Sequence, residues 1–170
     1  QACIVREELG RVSTQADYAF TYGGLGTYGI TYAGNDQQKK KYLTGVAKGE
    51  WVGAFALTEP DHGSDVAGMK TTARREGDHY LLNGEKTFIT FSNVAGFWLV
   101  FAKTDPAKGR KGISTFIVDP AAPGIEMTRF PMIAGLPEIH LRFADCKVPR
   151  ENLVGQEGDG WEIGLGATLN

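Results

Sequence analysis

The stretch TTARREGDHYLLNGEKTFIT, residues 71–90, holds short runs of β-branched and aromatic residues broken by glycine and asparagine. Such runs with turn residues between them mark antiparallel strands rather than helices. Inside it, Asn83 and Gly84 both accept the positive φ angles of a two-residue turn, so LLNGEK predicts a tight hairpin whose flanking strands pair directly. The same texture continues in FWLVFAKT, GISTFIVD, GIEMTRF and IHLRF. This spacing predicts a mostly antiparallel β barrel or two packed sheets over residues 51–157. DPAKGRKG between two of the runs reads as an exposed hairpin loop with a solvated basic tip.

Helical patterns flank this region, which makes the class α+β. NDQQKKKYLTGVAKG opens with Asn35 or Asp36 as an N-cap and stops near Gly49, its lysines forming a solvated face. The preceding STQADYAFTYGGLGTYGI is glycine-rich for a helix, and its small residues allow close helix packing or a nearby ligand. After Pro149 the turn-rich NLVGQEGDG leads into WEIGLGATL, the start of another helix. The divisions are 1–50, 51–157 and 158–170, with the helical segments at both ends truncated.

Composition narrows the function. A chain of 170 residues, 42% hydrophobic and 22% charged, buries a substantial core and fits one ordinary domain or one domain with partial neighbours. The formal charge of −2 comes with interleaved signs and no basic stripe, which argues against nucleic acid. WVGAFAL and FWLVFA are too short to span a bilayer, and QACIVREELG lacks the order of a signal peptide. Cys3 and Cys146 are far apart without a CxxC partner, so neither a disulfide framework nor a zinc site is expected, and a reducing compartment fits. Helical patterns at both ends and the missing initiator methionine predict a piece of a longer protein.

Chemistry concentrates in TEPDHGSD, residues 58–65, directly after the apolar run WVGAFAL. Turn formation explains Pro60 and Gly63. It does not require Thr58, Ser64 and Asp65. A Gly-containing turn after a strand aims backbone N–H groups into one concavity, which suits a pyrophosphate. Thr58, Ser64 and Thr90 add hydroxyls that donate and accept, as the mixed edge of a flavin ring requires. Phe55 and Phe88 offer flat apolar surface for such a ring. This loop is neither GxGxxG nor GxxxxGK[ST], so nicotinamide and nucleoside-triphosphate readings of it fail at the motif level. Glu59 and Asp65 read as braces that hold the loop through backbone bonds, and a metal site from Asp61, His62 and Asp65 has no supporting second cluster.

ALTEPDHGSDVAGMKTTARREGDHYLLNGEKTFIT, GISTFIVD, PGIEMTRF, VPRENLVGQEGDGW and, upstream, AGNDQQKKKYL together resemble the acyl-CoA dehydrogenase family, in its order and spacing from about Ile30 onward. The resemblance implies the tail of an N-terminal helical domain over 1–50, the family's middle β domain, and the start of its C-terminal helical bundle. It implies FAD as cofactor, with contacts at Phe55, Leu57, Thr58, Gly63 and Ser64 and at Phe88, Ile89 and Thr90. Ser64 would lie between cofactor and acyl-CoA, and Thr90 near the ring nitrogen that receives hydride.

The implied reaction is α,β-dehydrogenation of an acyl-CoA thioester, with a glutamate base from the C-terminal domain. No residue here matches that base, so no catalytic residue is assigned to Glu59, Glu126 or Glu157, and this polypeptide alone is expected to show no turnover. An electron-transfer flavoprotein is the implied acceptor, a homo-oligomer the implied assembly, and bacterial cytoplasm or mitochondrial matrix the implied location. A non-catalytic flavin- or partner-binding fragment and an acyl-CoA oxidase-like flavoprotein are the alternatives on the same scaffold. Three departures stand out: Asp61 and His62 where small residues are usual, Phe91 in place of asparagine, and MIAGLPEIHLRF without the usual Gly-x-Arg and Ser/Thr pattern.

Overall fold

In a computed structural model that describes residues 2–133 and 138–169, these β textures join into one eight-stranded, mostly antiparallel sheet. Its strands are β1 (Gly53–Ala56), β2 (Thr72–Glu76), β3 (His79–Lys86), β4 (Phe97–Lys103), β5 (Ile113–Val118), β6 (Ile125–Phe130), β7 (Glu138–Pro149) and β8 (Leu153–Val154). The order is β6-β7-β3-β2-β4-β5-β8, with β1 running parallel beside β4. Strands β6 and β8 end the path, so the sheet is open rather than a closed barrel.

The sheet bends where β2 and β4 share a single paired position, Thr72 with Lys103. Its halves then face one another. Tyr80 of β3 meets Phe116 of β5 at 4.8 Å between ring centres, and Trp98 of β4 meets Phe143 of β7 at 6.3 Å, although neither pair lies on neighbouring strands. Trp98, Val100 and Ala102 point into this core, while Phe97, Leu99 and Phe101 point to a second core against the helices. Burial on both faces is why FWLVFA reads as an unbroken apolar run.

The expected Asn83–Gly84 hairpin is not formed. The turn is Gly77–Asp78, between Glu76 and His79, with Gly77 at φ 59° as a two-residue turn with glycine first requires. Asn83 and Gly84 instead sit inside β3, where the register with β7 shifts between Leu82 and Gly84. Asn83 Nδ2 donates to Asp145 Oδ1 at 2.9 Å, and the Asp145 N–H donates back to Asn83 Oδ1 at 2.9 Å. Gly84 has φ 141°, and a Cβ there would lie 2.6 Å from Thr71 Cα. Two steps along β3, Leu82 to Gly84, meet three along β7, Cys146 to Phe143, so the bulge is on β7, where Asp145 takes φ 49° and Asn83 braces it from the facing strand.

Helices α1 (Ala2–Val12) and α2 (Thr14–Ala33) precede the sheet, and Ser13 caps α2 by accepting from the Ala16 N–H. Of the two expected caps, Asn35 opens helix α3 (Asp36–Gln38), and it does so through a reciprocal capping box with Gln38. The helix continues through a π-helical stretch, Lys39–Leu43, into α4 (Thr44–Ala47), and Gly49 ends it with φ 73°. Gln38 Nε2 donates to the carbonyls of Glu151 and Leu153 at 2.8 and 2.9 Å, fastening this helix beside β8. Helix α5 (Gly160–Leu169) follows the turn-rich segment. No helix among the described residues is long and apolar enough to cross a membrane.

Helix α2 lies directly on β1, and its glycines explain how. A Cβ on Gly26 would come within 2.2 Å of the Gly53 carbonyl oxygen. Gly26→Val should therefore lift α2 off β1 and cost about 1–3 kcal/mol, as overpacking does. Urea denaturation checks it; an unchanged midpoint would mean that the two backbones do not touch.

Candidate functional site

Two loops meet where β1 ends. The Thr87 N–H donates to the Thr58 carbonyl at 2.9 Å, joining the segment after β3 to the one after β1. Lys86 Nζ donates to the Leu57 carbonyl at 3.0 Å and to Glu59 Oε1 at 2.8 Å. The Glu59 carboxylate also accepts from the backbone N–H groups of Lys70 and Thr71. Lys86 is fully buried and Glu59 nearly so. Three chain segments are thus stapled by one ion pair.

The rest of loop 58–65 is braced locally. Glu59 and His62 exchange backbone hydrogen bonds at 3.1 and 3.2 Å, so Pro60 and Asp61 occupy a tight turn. Asp65 accepts from the Gly68 N–H at 3.2 Å and caps the short turn Val66–Gly68. Much of the loop's polarity is therefore internal bonding, as expected for Glu59, Pro60 and Asp65. Among the described residues, no three His, Cys, Asp or Glu side chains converge to hold a metal ion.

Burial sets the charge state of the ion pair. Desolvation pushes the Lys86 ammonium down to about 8, and the Glu59 charge offsets part of that. Desolvation alone would raise Glu59, but Lys86 and the hydrogen bonds outweigh it and hold the carboxyl below its ordinary value.

The second loop carries backbone strain. Phe88 and Phe91 have φ 58° and 60°, a left-handed conformation uncommon for bulky residues and costing about 1–3 kcal/mol each. Phe88 is 56% exposed and stands edge-on to Phe130 at 5.3 Å. Phe91 stands edge-on to Tyr22 of α2 at 5.2 Å, so the departure from asparagine adds an aromatic contact to the helix. Between them Ile89 is buried in the core, its N–H donating to the Ile139 carbonyl at 3.1 Å. Thr90 Oγ1 donates to the Glu138 carboxylate, 2.9 Å from Oε1 and 3.1 Å from Oε2.

Between the loops and α2 lies a cleft of about 170 Å³. Phe55, Thr58, Phe88 and Thr90, all candidates from the sequence, line it together. Tyr22 and Leu25 of α2 and the backbone of Gly53 and Ala54 complete it. The other four candidates lie elsewhere. Leu57 faces an apolar recess with Val66, Ile113 and Trp161; Ile89 is core; Gly63 and Ser64 are exposed on the first loop and do not line the cleft.

Sequence reasoning missed Tyr22, Leu25 and Glu138. For the first two a signal existed, the glycine-rich α2 stretch. For Glu138 none did, because 48 residues separate it from Thr90. The altered loop expected in MIAGLPEIHLRF includes residues 134–137, which lie outside the described residues. The glutamates left unassigned as bases have other partners: Glu59 holds Lys86, Glu126 pairs with Arg142 at 3.3 Å, and Glu157 accepts from the Tyr80 hydroxyl at 2.6 Å.

The family profile described as "Acyl-CoA dehydrogenase, middle domain" matches residues 54–146, and "Acyl-CoA dehydrogenase, N-terminal domain" matches residues 1–50. An acyl-CoA dehydrogenase of Bacillus subtilis (strain 168) is 42% identical over 167 residues, which cover 96% of this chain and 44% of that protein. A structure of the glutaryl-coenzyme A dehydrogenase glutaryl-CoA complex superposes with a TM-score of 0.90 at 39% identity, over 96% of this chain and 42% of the other. A structure reported for the electron transferring flavoprotein of Acidaminococcus fermentans contains a chain that superposes with a TM-score of 0.90 at 39% identity, over 95% of this chain and 44% of the other. The chain thus spans less than half the length of these relatives. Two domain profiles that together take up most of the sequence, and a shared architecture, establish that the chain belongs to the acyl-CoA dehydrogenase family.

Proposed function

We propose that the cleft receives the isoalloxazine edge of FAD and that the protein takes part in α,β-dehydrogenation of an acyl-CoA thioester. The observation that carries this reading is the convergence of Phe55, Thr58, Phe88 and Thr90 with α2 on one recess. These residues fit the group. Phe55 and Phe88 supply apolar ring surface, and Thr58 and Thr90 supply polar atoms. FAD when bound supplies the redox chemistry; the protein binds it, orients it and excludes water.

Gly63 and Ser64 belong to this proposal as residues of the exposed loop that reach the cofactor's phosphates, and Ser64 as one that also meets substrate. Leu57 and Ile89 support the same loops from their cores. The relatives reported above support acyl-CoA as substrate and an electron-transfer flavoprotein as acceptor, and we extend both to this protein. A homo-oligomer, the domain limits 1–50, 51–157 and 158–170, and a base outside this chain complete the reading.

Flavin titration of the full-length protein tests it. Phe88→Ala should weaken FAD binding about tenfold, the order of one aromatic stacking contact. Lys40→Ala, on the exposed face of the π-helical stretch, should bind as the parent does. Equal affinity for the Phe88→Ala variant and the parent would place the flavin elsewhere.

A further inference from the structure

Glu138 does not itself line the cleft, yet its carboxylate lies 2.9 and 3.1 Å from Thr90 Oγ1, which does. An ionised carboxylate only accepts, so the one hydroxyl hydrogen of Thr90 is directed at Glu138. Among the described residues no Lys, Arg or His nitrogen lies within 4 Å of Glu138, which leaves Thr90 as its side-chain hydrogen-bond partner. The strained backbone on either side, at Phe88 and Phe91, and the buried Ile89 between them fix where Thr90 sits. What Thr90 Oγ1 still offers the cleft is a lone pair.

We infer that Glu138 is a positioning residue that makes Thr90 an obligatory hydrogen-bond acceptor, so that the cleft favours a ligand presenting N–H at that point. This rests on the flavin reading of the cleft. The ring nitrogen that takes up hydride lacks a hydrogen in the oxidised isoalloxazine and carries one after reduction. An acceptor facing it therefore binds the reduced cofactor more tightly than the oxidised one, and a donor would do the reverse. Glu138 thereby biases the cofactor's redox equilibrium from behind the cleft wall, through the orientation of a neighbour's hydroxyl.

A double-mutant cycle on the full-length protein separates this from the effect of the Glu138 charge, which is common to both members of each pair and cancels. The quantity read is the ratio of affinities for reduced and oxidised FAD, obtained from the midpoint potential of the bound flavin. In the parent, Thr90→Val should lower that ratio three- to tenfold, the worth of one hydrogen bond. Tenfold corresponds to about 30 mV for a two-electron couple. In a Glu138→Ala background, Thr90→Val should leave the ratio unchanged or raise it, because the freed hydroxyl donates. Glu138→Gln keeps an acceptor for the hydroxyl and should retain the parental response, which guards against a folding defect in the alanine variant. An effect of Thr90→Val that is the same with and without Glu138 overturns the inference alone. A parent that binds no flavin overturns both the inference and the reading beneath it.

Discussion

Lys86→Ala should cost about 3–5 kcal/mol of stability, because it leaves the buried Glu59 carboxylate without its cation. Lys86 is fully enclosed, and its ammonium ties both the Leu57 carbonyl and Glu59 to the end of β3. The loss is therefore not confined to one contact. Loop 58–65 loses one anchor to β3 and keeps the bond from the Thr87 N–H to the Thr58 carbonyl. Replacing both partners, Glu59→Leu with Lys86→Met, should recover much of the loss, since two apolar side chains need no compensation. Urea denaturation of the single and double variants decides it. A single variant within 1 kcal/mol of the parent would show the pair to be solvated.

The same pair sets a pH dependence with a defined sign. Glu59 titrates below its ordinary value in the folded state, so the stability it contributes is full above the unfolded value and is lost as pH falls through the folded one. Lys86 titrates at about 8 rather than 10.5, so the folded state releases its proton first and stability rises across that interval. Both trends should vanish from the double variant. Melting curves at pH 4, 7 and 9 for parent and double variant read the difference.

Trp98→Ala should have a comparable effect, about 3–5 kcal/mol, by emptying the largest fully buried site. The indole does more than fill space. Its N–H donates to the Ser92 carbonyl at 2.9 Å, and Ser92 Oγ in turn donates to the Ile89 carbonyl at 3.0 Å. These two bonds hold the loop that carries Phe88 and Thr90. Removal of the indole should thus loosen the cleft as well as the core. Trp98→Phe keeps most of the apolar volume but not the donor, and should cost less stability while still weakening FAD. Equal FAD affinity for the Phe variant and the parent would separate core from cleft.

The textures of the elements were legible because each is local. The asparagine cap at Asn35, the glycine stop at Gly49 and the apolar run of β4 follow from a few neighbouring residues. Asn83–Gly84 misled for a related reason: tolerance of positive φ is a local preference, and the pair suits a strand position facing the bulge at Asp145 as well as a turn. What distinguishes them lies 62 residues away. Phe55, Thr58, Phe88 and Thr90 stand out by residue type in two loops that follow strands, and the family resemblance points to the same positions. The helix residues Tyr22 and Leu25 reach the cleft, and Glu138 reaches Thr90 behind it, through the fold of the chain. Charge pairing across 27 residues, as in Glu59 with Lys86, is equally invisible until the loops are brought together.

A crystal structure of the full-length protein with FAD tests the central claim most directly. The isoalloxazine should lie in the cleft against Phe55 and Phe88, with Thr58 and Thr90 at hydrogen-bonding distance from its polar edge. A ring bound outside that cleft, with Phe88 and Thr90 in contact with solvent alone, would contradict it.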